Sequence, residues 1–589
     1  MLENIQKKVS LSGSEKIYLH ETDVNGNRLY IESGDLVSYF ITTAQDISTF
    51  DFEKYPTGYV FQTSGFYTKE DGGSATYIIE ESLTANGIDI FALSDGRFAK
   101  YLLNKDNSAN VLQFGAKGDD VTNNSTIFER AVEILIDGGE LVFPKGVYRT
   151  DRALIVRYSN VTLSGYNATI KPLASFSNPL TTNGIISVKP DVSTDILYNN
   201  KVNGFVLDGA DYIATPSVTQ NGILAWHTYN AIISNNIVKG IENYGIWFSE
   251  STHGTIDGNT VYGAEESIEV AINVHKVLII NNRVVGQTGL TVNMYLNYAN
   301  ATEITYYNNY AEGSGNGLVL SQVDGGFKDI SVDNFFCNTE SGHGLIIEAG
   351  TLHSEENISI SNSTFKTTGA SSYGILKEGP NTIKNFTISN SKFYSQENIC
   401  INLDGPALIE NAKIINSYFE GKASNYFGDI NDFKLDGNKF FNITSGYSSI
   451  RSGTNVKVSN NEFTRYPLFT GQPTIIESNT FFGPNDPLEI AQGSIVKDNI
   501  GFLTNVNIGI NSIVHNNRFQ NYFSNNNVGS IISETSIEWK WQHMFMSALY
   551  QVTGANTNDA NTNAGVAGVA LGGIYKWDDG GAIHLMIRK

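Results

Sequence analysis

Leu435-Asp-Gly-Asn438-Lys-Phe440, followed by Ser459-Asn-Asn461-Glu-Phe463, is the stretch on which the architecture turns. An apolar, alternating run closes on Asn, then any residue, then an apolar or aromatic one. The same phrase stands at Ile233-Ser-Asn-Asn236-Ile-Val238, Ile256-Asp-Gly-Asn259-Thr-Val261, Ile280-Asn-Asn282-Arg-Val284, Val332-Asp-Asn334-Phe-Phe336 and His515-Asn-Asn517-Arg-Phe519. Copies with Ser at the Asn position occur at Ser363, Ser391 and Ser417. Asn236, Asn259 and Asn282 follow one another at steps of 23, as do Asn438 and Asn461, and elsewhere the period drifts. A drifting period of about two dozen residues is the mark of a solenoid.

The residues before each Asn alternate apolar and polar, the period of a half-buried strand and not of a helix. A second short strand in each repeat is opened by Gly: Gly222-Ile-Leu-Ala-Trp226, Gly245-Ile-Trp-Phe248, Gly317-Leu-Val-Leu-Ser321 and Gly344-Leu-Ile-Ile-Glu348. Two or three short strands per repeat, joined by tight Gly and Asn turns, wind a parallel β-helix. An Asn at a constant place in each coil can adopt the left-handed turn conformation and hydrogen-bond the coil above.

A chain of 589 residues exceeds one ordinary core, and a solenoid escapes that limit by stacking. Charged residues are only 17%, against 56 Gly, 30 Tyr and 32 Phe, which suits a β-rich body with aromatic stacks inside. The net charge of −21 argues against nucleic acid and against an anionic membrane surface as partners. Cys337 and Cys400 fall at strand-like positions in different coils and read as buried thiols, not a disulfide. The N-terminus, Met1-Leu-Glu-Asn-Ile-Gln-Lys-Lys8, shows no signal peptide, and no long apolar run directs membrane insertion.

Three regions are expected. Residues 1–110 carry no repeat and read as a small β domain. Residues 111–525 hold the solenoid, and residues 526–589, aromatic at Glu538-Trp-Lys-Trp-Gln-His543 and small and apolar at Gly565–Gly573, form a C-terminal β cap or trimerisation region. The spacing predicts an amphipathic helix from about Ser125 to Asp137, with Thr126 and Glu129 as a capping box and Gly138 as its stop. Its apolar face would close the open end of the solenoid.

The run from Phe114-Gly-Ala-Lys-Gly-Asp, through that helix, to Leu141-Val-Phe-Pro-Lys-Gly-Val-Tyr148 resembles the opening segment of the pectate-lyase-like right-handed β-helix superfamily. With the Asn-bearing coils the resemblance covers roughly residues 111–520. Within that superfamily the domain order resembles a bacteriophage tailspike depolymerase. The resemblance implies a homotrimer on a virion, docked to other tail proteins through residues 1–110, that cuts the capsular polysaccharide or O-antigen of a host at its surface. No cofactor is expected.

Chemistry on a β-helix falls to outward side chains on stacked strands. Counted from the Gly of the second strand, the fourth residues read Trp226, Ser249, Ala271, Asn293, Ser321, Glu348, Glu378 and Asp404. Coils lie roughly 4.8 Å apart, so neighbouring carboxyls would stand about 5 Å and alternate ones about 10 Å apart. Glycosidases use carboxyl pairs at about 5 Å when retaining and about 6.5–9.5 Å when inverting. The expectation is an inverting hydrolysis with Glu348 as acid, Asp404 as base and Glu378 tuning both. Glu250, Glu269 and Asp324 are alternative catalytic carboxyls. Trp226, Trp247 and Asn293 are the expected substrate-binding residues, the two indoles as sugar platforms. His227, His253 and His275 recur near turns at unequal offsets, which does not make a metal site.

Two alternatives stand beside the hydrolase. A polysaccharide lyase needs a cation beside a uronate, and the column offers only Lys377. A non-catalytic adhesin would bind glycans and cut nothing.

Overall fold

The computed structural model describes residues 43–519 except 177–182, 211–220, 290, 322–325, 351–354, 406–407, 424, 443–447 and 466–467. Outside that range it describes the strands Lys16–Thr22, Arg28–Glu32, Phe40–Ile41, Phe523–Ser524, Ile531–Ser533, Gln551–Thr553, Ile574–Asp578 and Ile583–Ile587. Residues 1–242 and 243–589 form two compact units.

In the first unit a five-stranded, mostly antiparallel sheet is built from Phe40–Ile41, Val60–Thr63, Thr76–Glu80, Ile90–Ala92 and Phe98–Leu102. Phe61, Tyr77, Phe91 and Tyr101 bury its inner side. Helix α1, Ser125–Glu133, follows, shorter than the sequence predicts because residues 134–137 turn and Gly138, at φ +89°, ends the segment. The capping box does not form. Asn124 is the N-cap and makes no side-chain cap bond, while Arg152 takes both Glu129, at 2.5 Å, and the Thr126 hydroxyl, at 3.0 Å. Phe128, Ala131, Val132 and Leu135 are buried, so the apolar face is used, although Ile136 is exposed.

The first coils then run in three parallel ladders. Gly139–Val142 pairs with Val161–Ser164 and on to Lys201–Asn203 and Ile232–Ser234. Val147–Thr150 leads through Thr169–Pro172 to Val206–Asp208 and Ile237–Lys239. Leu154–Val156 leads through Gly184–Val188 to Asn221–Trp226.

The second unit repeats the same plan. A first face runs Thr255–Asp257, His275–Ile280, Thr302–Tyr307, Lys328–Asp333, Glu355–Ser361 and onward, a second face follows each Asn corner, and a third carries the Gly-opened strands. All of these pairs are parallel, and parallel crossovers wind right-handed. The molecule is thus an all-β, right-handed parallel β-helix with a small antiparallel N-terminal sheet. A three-stranded sheet of Gln551–Thr553, Ile574–Asp578 and Ile583–Ile587 is described near the C-terminus.

Two forces hold the coils in register. On the second face Phe335, Phe365, Phe393, Phe419, Phe440, Phe463 and Phe481 stack ring on ring at 4.9–5.5 Å, with interplanar angles of 5–13°. Beside them runs a buried amide ladder: Asn438 Nδ2 donates to Asn461 Oδ1, Asn461 to Asn479, Asn479 to Asn499 and Asn499 to Asn517, at 2.9–3.0 Å. Each Oδ1 also accepts the backbone N–H of the preceding coil, as Asn461 does from Asn438 at 2.8 Å.

The left-handed turn residue and the ladder residue are neighbours, not one position. Asn235, Asn281, Asn308, Asn334, Asn460 and Asn516 have φ between +48° and +58°, whereas the buried ladder holds the next residue in each coil. Asn334 therefore belongs to the exposed turn column, donating to Asn308 at 2.9 Å, and Phe335 occupies the ladder place. Cys337 and Cys400 are free and fully buried. Among the described residues no helix is long and apolar enough to cross a membrane.

Candidate active site on the third face

The third face of the second unit is built by Tyr244–Ser249, Glu266–Ala271, Asn293–Tyr298, Asn316–Ser321, Leu345–Glu348, Ile375–Glu378 and Ile401–Asn402. Ile246, Ile268, Tyr295, Leu318, Leu345 and Ile375 point into the coil and are fully buried. The alternate, outward positions form a central column of Trp247, Glu269, Leu296, Val319, Ile346 and Leu376. Leu296, Val319 and Ile346 pack together there, with Tyr298 against them, as an apolar floor.

The closing edge of the face runs Ser249, Ala271, Tyr298, Ser321, Glu348 and Glu378 in strict register. Glu348 and Glu378 are direct partners on adjacent strands. The Ser321 hydroxyl donates to the Glu348 carboxylate. Burial, and then the charge of Glu348, push the Glu378 carboxyl above the usual carboxylate range. Lys377 turns into the coil and is buried, its ammonium 3.4 Å from the Gly379 carbonyl, so Glu378 keeps its outward strand position. Asp404 lies two residues beyond the last paired residue, Asn402, and is held by Arg451 at 2.9 Å.

Asn293 does not belong to this edge. Tyr298 takes the position expected for it, and Asn293 lies on the opening edge, between Glu266 and Asn316. That edge is a chain of hydrogen bonds. Asn293 donates to Glu266 at 3.1 Å, Asn316 to Asn293 at 2.9 Å, the His343 N–H to Asn316 at 2.9 Å and the Tyr373 N–H to His343 Nδ1 at 3.0 Å.

Where this edge meets the floor, two carboxyls lie close together on one strand. Glu269 is 4% exposed, and burial pushes it up to about 8, with the charge of Glu266 adding. Glu266, also raised to about 8 chiefly by burial, was not singled out in the sequence. Glu269 pairs in register with Trp247, whose ring stacks on Tyr244 at 4.7 Å, and burial lifts the Tyr244 hydroxyl to about 12. Glu250 sits in the turn after Tyr244–Ser249 at φ +45°, off the face. Asp324 lies outside the described residues. Trp226 belongs to the first unit, where its ring meets His227 and the Lys189 ammonium. Among the described residues no group of three His, Cys, Asp or Glu side chains could hold a metal ion.

Residues 108–318 match the family described as rhamnogalacturonase A/epimerase, pectate lyase-like. The match begins at the segment on which the sequence resemblance rests. No curated protein matches the chain. Among solved structures, a mutant tailspike protein of Escherichia coli bacteriophage HK620 is 12% identical, covering 77% of this chain and 85% of its own, with a TM-score of 0.48. The A-module of a mannuronan C-5 epimerase from Azotobacter vinelandii is 14% identical over 73% of this chain and 99% of its own, at 0.35. The surface adhesin PfbA of Streptococcus pneumoniae is 12% identical over 72% and 93%, at 0.39. At these identities the likeness is one of fold.

Proposed function

We propose that this chain is an endo-acting glycoside hydrolase on a bacterial surface polysaccharide, with Glu378 as general acid and Glu348 as its ionised partner. The observation that carries the reading is the register pairing of these two carboxyls on one outward column, where burial and the neighbouring Glu348 charge raise Glu378. Adjacent parallel strands stand roughly 4.8 Å apart, close to the spacing of a retaining pair. The inverting alternative needs Asp404 to face the same substrate as Glu348, and Asp404 is instead bound to Arg451. Glu378 would protonate the leaving oxygen while Glu348, oriented by Ser321, attacks the anomeric carbon. Water then releases the sugar, with Glu378 acting as base. The polar chain of the opening edge and the stacked Tyr244 and Trp247 would hold the glycan across several coils.

The domain order supports a tailspike: residues 1–110 attaching to a virion, 111–525 catalytic, 526–589 capping or clasping a homotrimer. A reducing-end assay on purified capsular and O-antigen polysaccharides tests the reading. The expected result is release of oligosaccharides by the wild type and a loss of about 100-fold or more in Glu378→Gln and Glu348→Gln. An unsaturated product marks a lyase, and binding without cleavage on every glycan marks an adhesin.

A further inference from the structure

Trp247 and Glu269 are register partners one coil apart on the outward column of the third face. Each holds a buried polar atom that nothing among the described residues satisfies: the Trp247 indole N–H has no acceptor, and Glu269 Oε2 has no donor. Glu269 is only 4% exposed, although its strand position faces outward. On the same strand Glu266 gives one oxygen to the Asn293 amide at 3.1 Å, while its other oxygen, Oε2, is buried and unpartnered among the described residues. Every charge that acts on these two carboxyls is negative: Glu266 acts on Glu269, and Glu265 and Glu348 act on Glu266. A buried polar group without a partner is costly, and two such carboxyls side by side are costlier. A water would satisfy the indole N–H but brings no positive charge. The place therefore lacks a cation with hydrogens to give and, beside it, an acceptor for one N–H.

We propose that Glu266, Glu269 and Trp247 form an amino-sugar subsite, in which the two carboxylates bind the ammonium of an unacylated sugar amine and the indole N–H binds the hydroxyl on the adjacent carbon. An ammonium has three hydrogens and no acceptor, so it serves both orphan oxygens at once. The bonds it makes are charge-assisted, and its charge replaces the protons that burial otherwise keeps on the carboxyls. An N-acetyl group offers one N–H and no charge, and leaves a carboxyl unserved. Tyr244, stacked on Trp247 at 4.7 Å, borders the same place: its hydroxyl, raised first by burial, also feels Glu269, Glu266 and Glu265. Aromatic rings beside carboxylates favour a cation further. The subsite rests on the reading of this face as a glycan-binding surface and not on the cutting pair, Glu348 and Glu378.

The test is calorimetric binding, to the full-length chain near neutral pH, of a tetramer of β-1,4-linked glucosamine and of its fully N-acetylated counterpart. The amine probe is expected to bind about tenfold or more tightly, the size of one charge-assisted contact. Glu269→Gln should erase that preference. Trp247→Phe keeps an aromatic ring and removes the N–H, so it should weaken both probes alike and leave the preference intact. Equal or tighter binding of the N-acetylated probe, no binding of either probe, an unchanged preference in Glu269→Gln, or equal displacement of the amine probe by tetralysine at the same concentration would each overturn the proposal. Any of these results together with cleavage of a surface polysaccharide removes the subsite and leaves the hydrolase reading standing. An amine preference with no cleavage of any glycan does the reverse.

Discussion

Glu348 and Glu378 are register partners on neighbouring parallel strands, and a hydroxyl from the preceding coil, that of Ser321, donates to Glu348 alone. The two carboxyls thereby differ in surroundings while sharing one column. The Glu378 carboxyl is raised first by burial and second by the charge of Glu348. Glu348→Gln removes the second cause and leaves the first, so the Glu378 pKa should fall while staying above the usual carboxylate range. Selective ¹³C labelling of glutamate with a carboxyl titration reads this directly. A rise, or no movement, would show that the two groups do not interact.

The stereochemistry of the product separates the two carboxyl pairings. A pair one coil apart leaves no room for a water between substrate and base, and predicts retention at the anomeric carbon. NMR of the first-formed oligosaccharide should show the substrate's own anomer before mutarotation. The opposite anomer would point to Asp404 and require its release from Arg451.

Glu266 and Glu269 carry a pH dependence of stability with a defined sign. Both are raised to about 8 in the folded chain, from ordinary values near 4.5. The folded state therefore binds more protons than the unfolded state between these limits. Stability should fall as pH rises from about 4.5 to about 8 and level off above, by up to roughly 5 kcal/mol for each carboxyl. Glu269→Gln mimics the protonated form. It should unfold at higher temperature than wild type at pH 8 and close to wild type at pH 4.5, as thermal scans at the two pH values would show.

The fold was legible because the phrase that repeats is the one that does the stacking. An Asn with a fixed offset to a buried aromatic reports a ladder and a ring stack together: the rings stack from Phe335 to Phe481, and the amide ladder runs beside them from Asn438 onward. The site was legible only in part, because a column can be counted only from a correct origin. Gly344 and Gly374 stand just before their strands, so the count sets Glu348 and Glu378 in one outward column, as their register has it. Gly289 is a turn residue at φ +75°, and counting from it put Asn293 at the wrong edge. Glu266 stands one residue before Ser267, the place its neighbour gives to Gly245, so a count that runs forward from that place passes over it. The Arg451 partner of Asp404 comes from later coils, and no local spacing announces it.

Asn460 and Asn461 make the sharpest contrast in the molecule, adjacent residues of one type with different duties. Asn461 is 2% exposed and accepts from the backbone and side chain of Asn438, while its own amide donates to Leu435 and Asn479. Asn461→Ala leaves those buried partners short of bonds, each at roughly 1–3 kcal/mol, so a loss of several kcal/mol is expected. Asn460 is exposed at φ +58°, a conformation that Gly adopts freely. Asn460→Gly gives up one exposed bond, to Asp436 at 2.8 Å, and should change stability by less than about 1 kcal/mol. Unfolding rates in denaturant, measured on both variants beside wild type, should rise steeply for the first and little for the second. Equal effects would mean that the coils are held by their aromatic stack and not by the amide ladder.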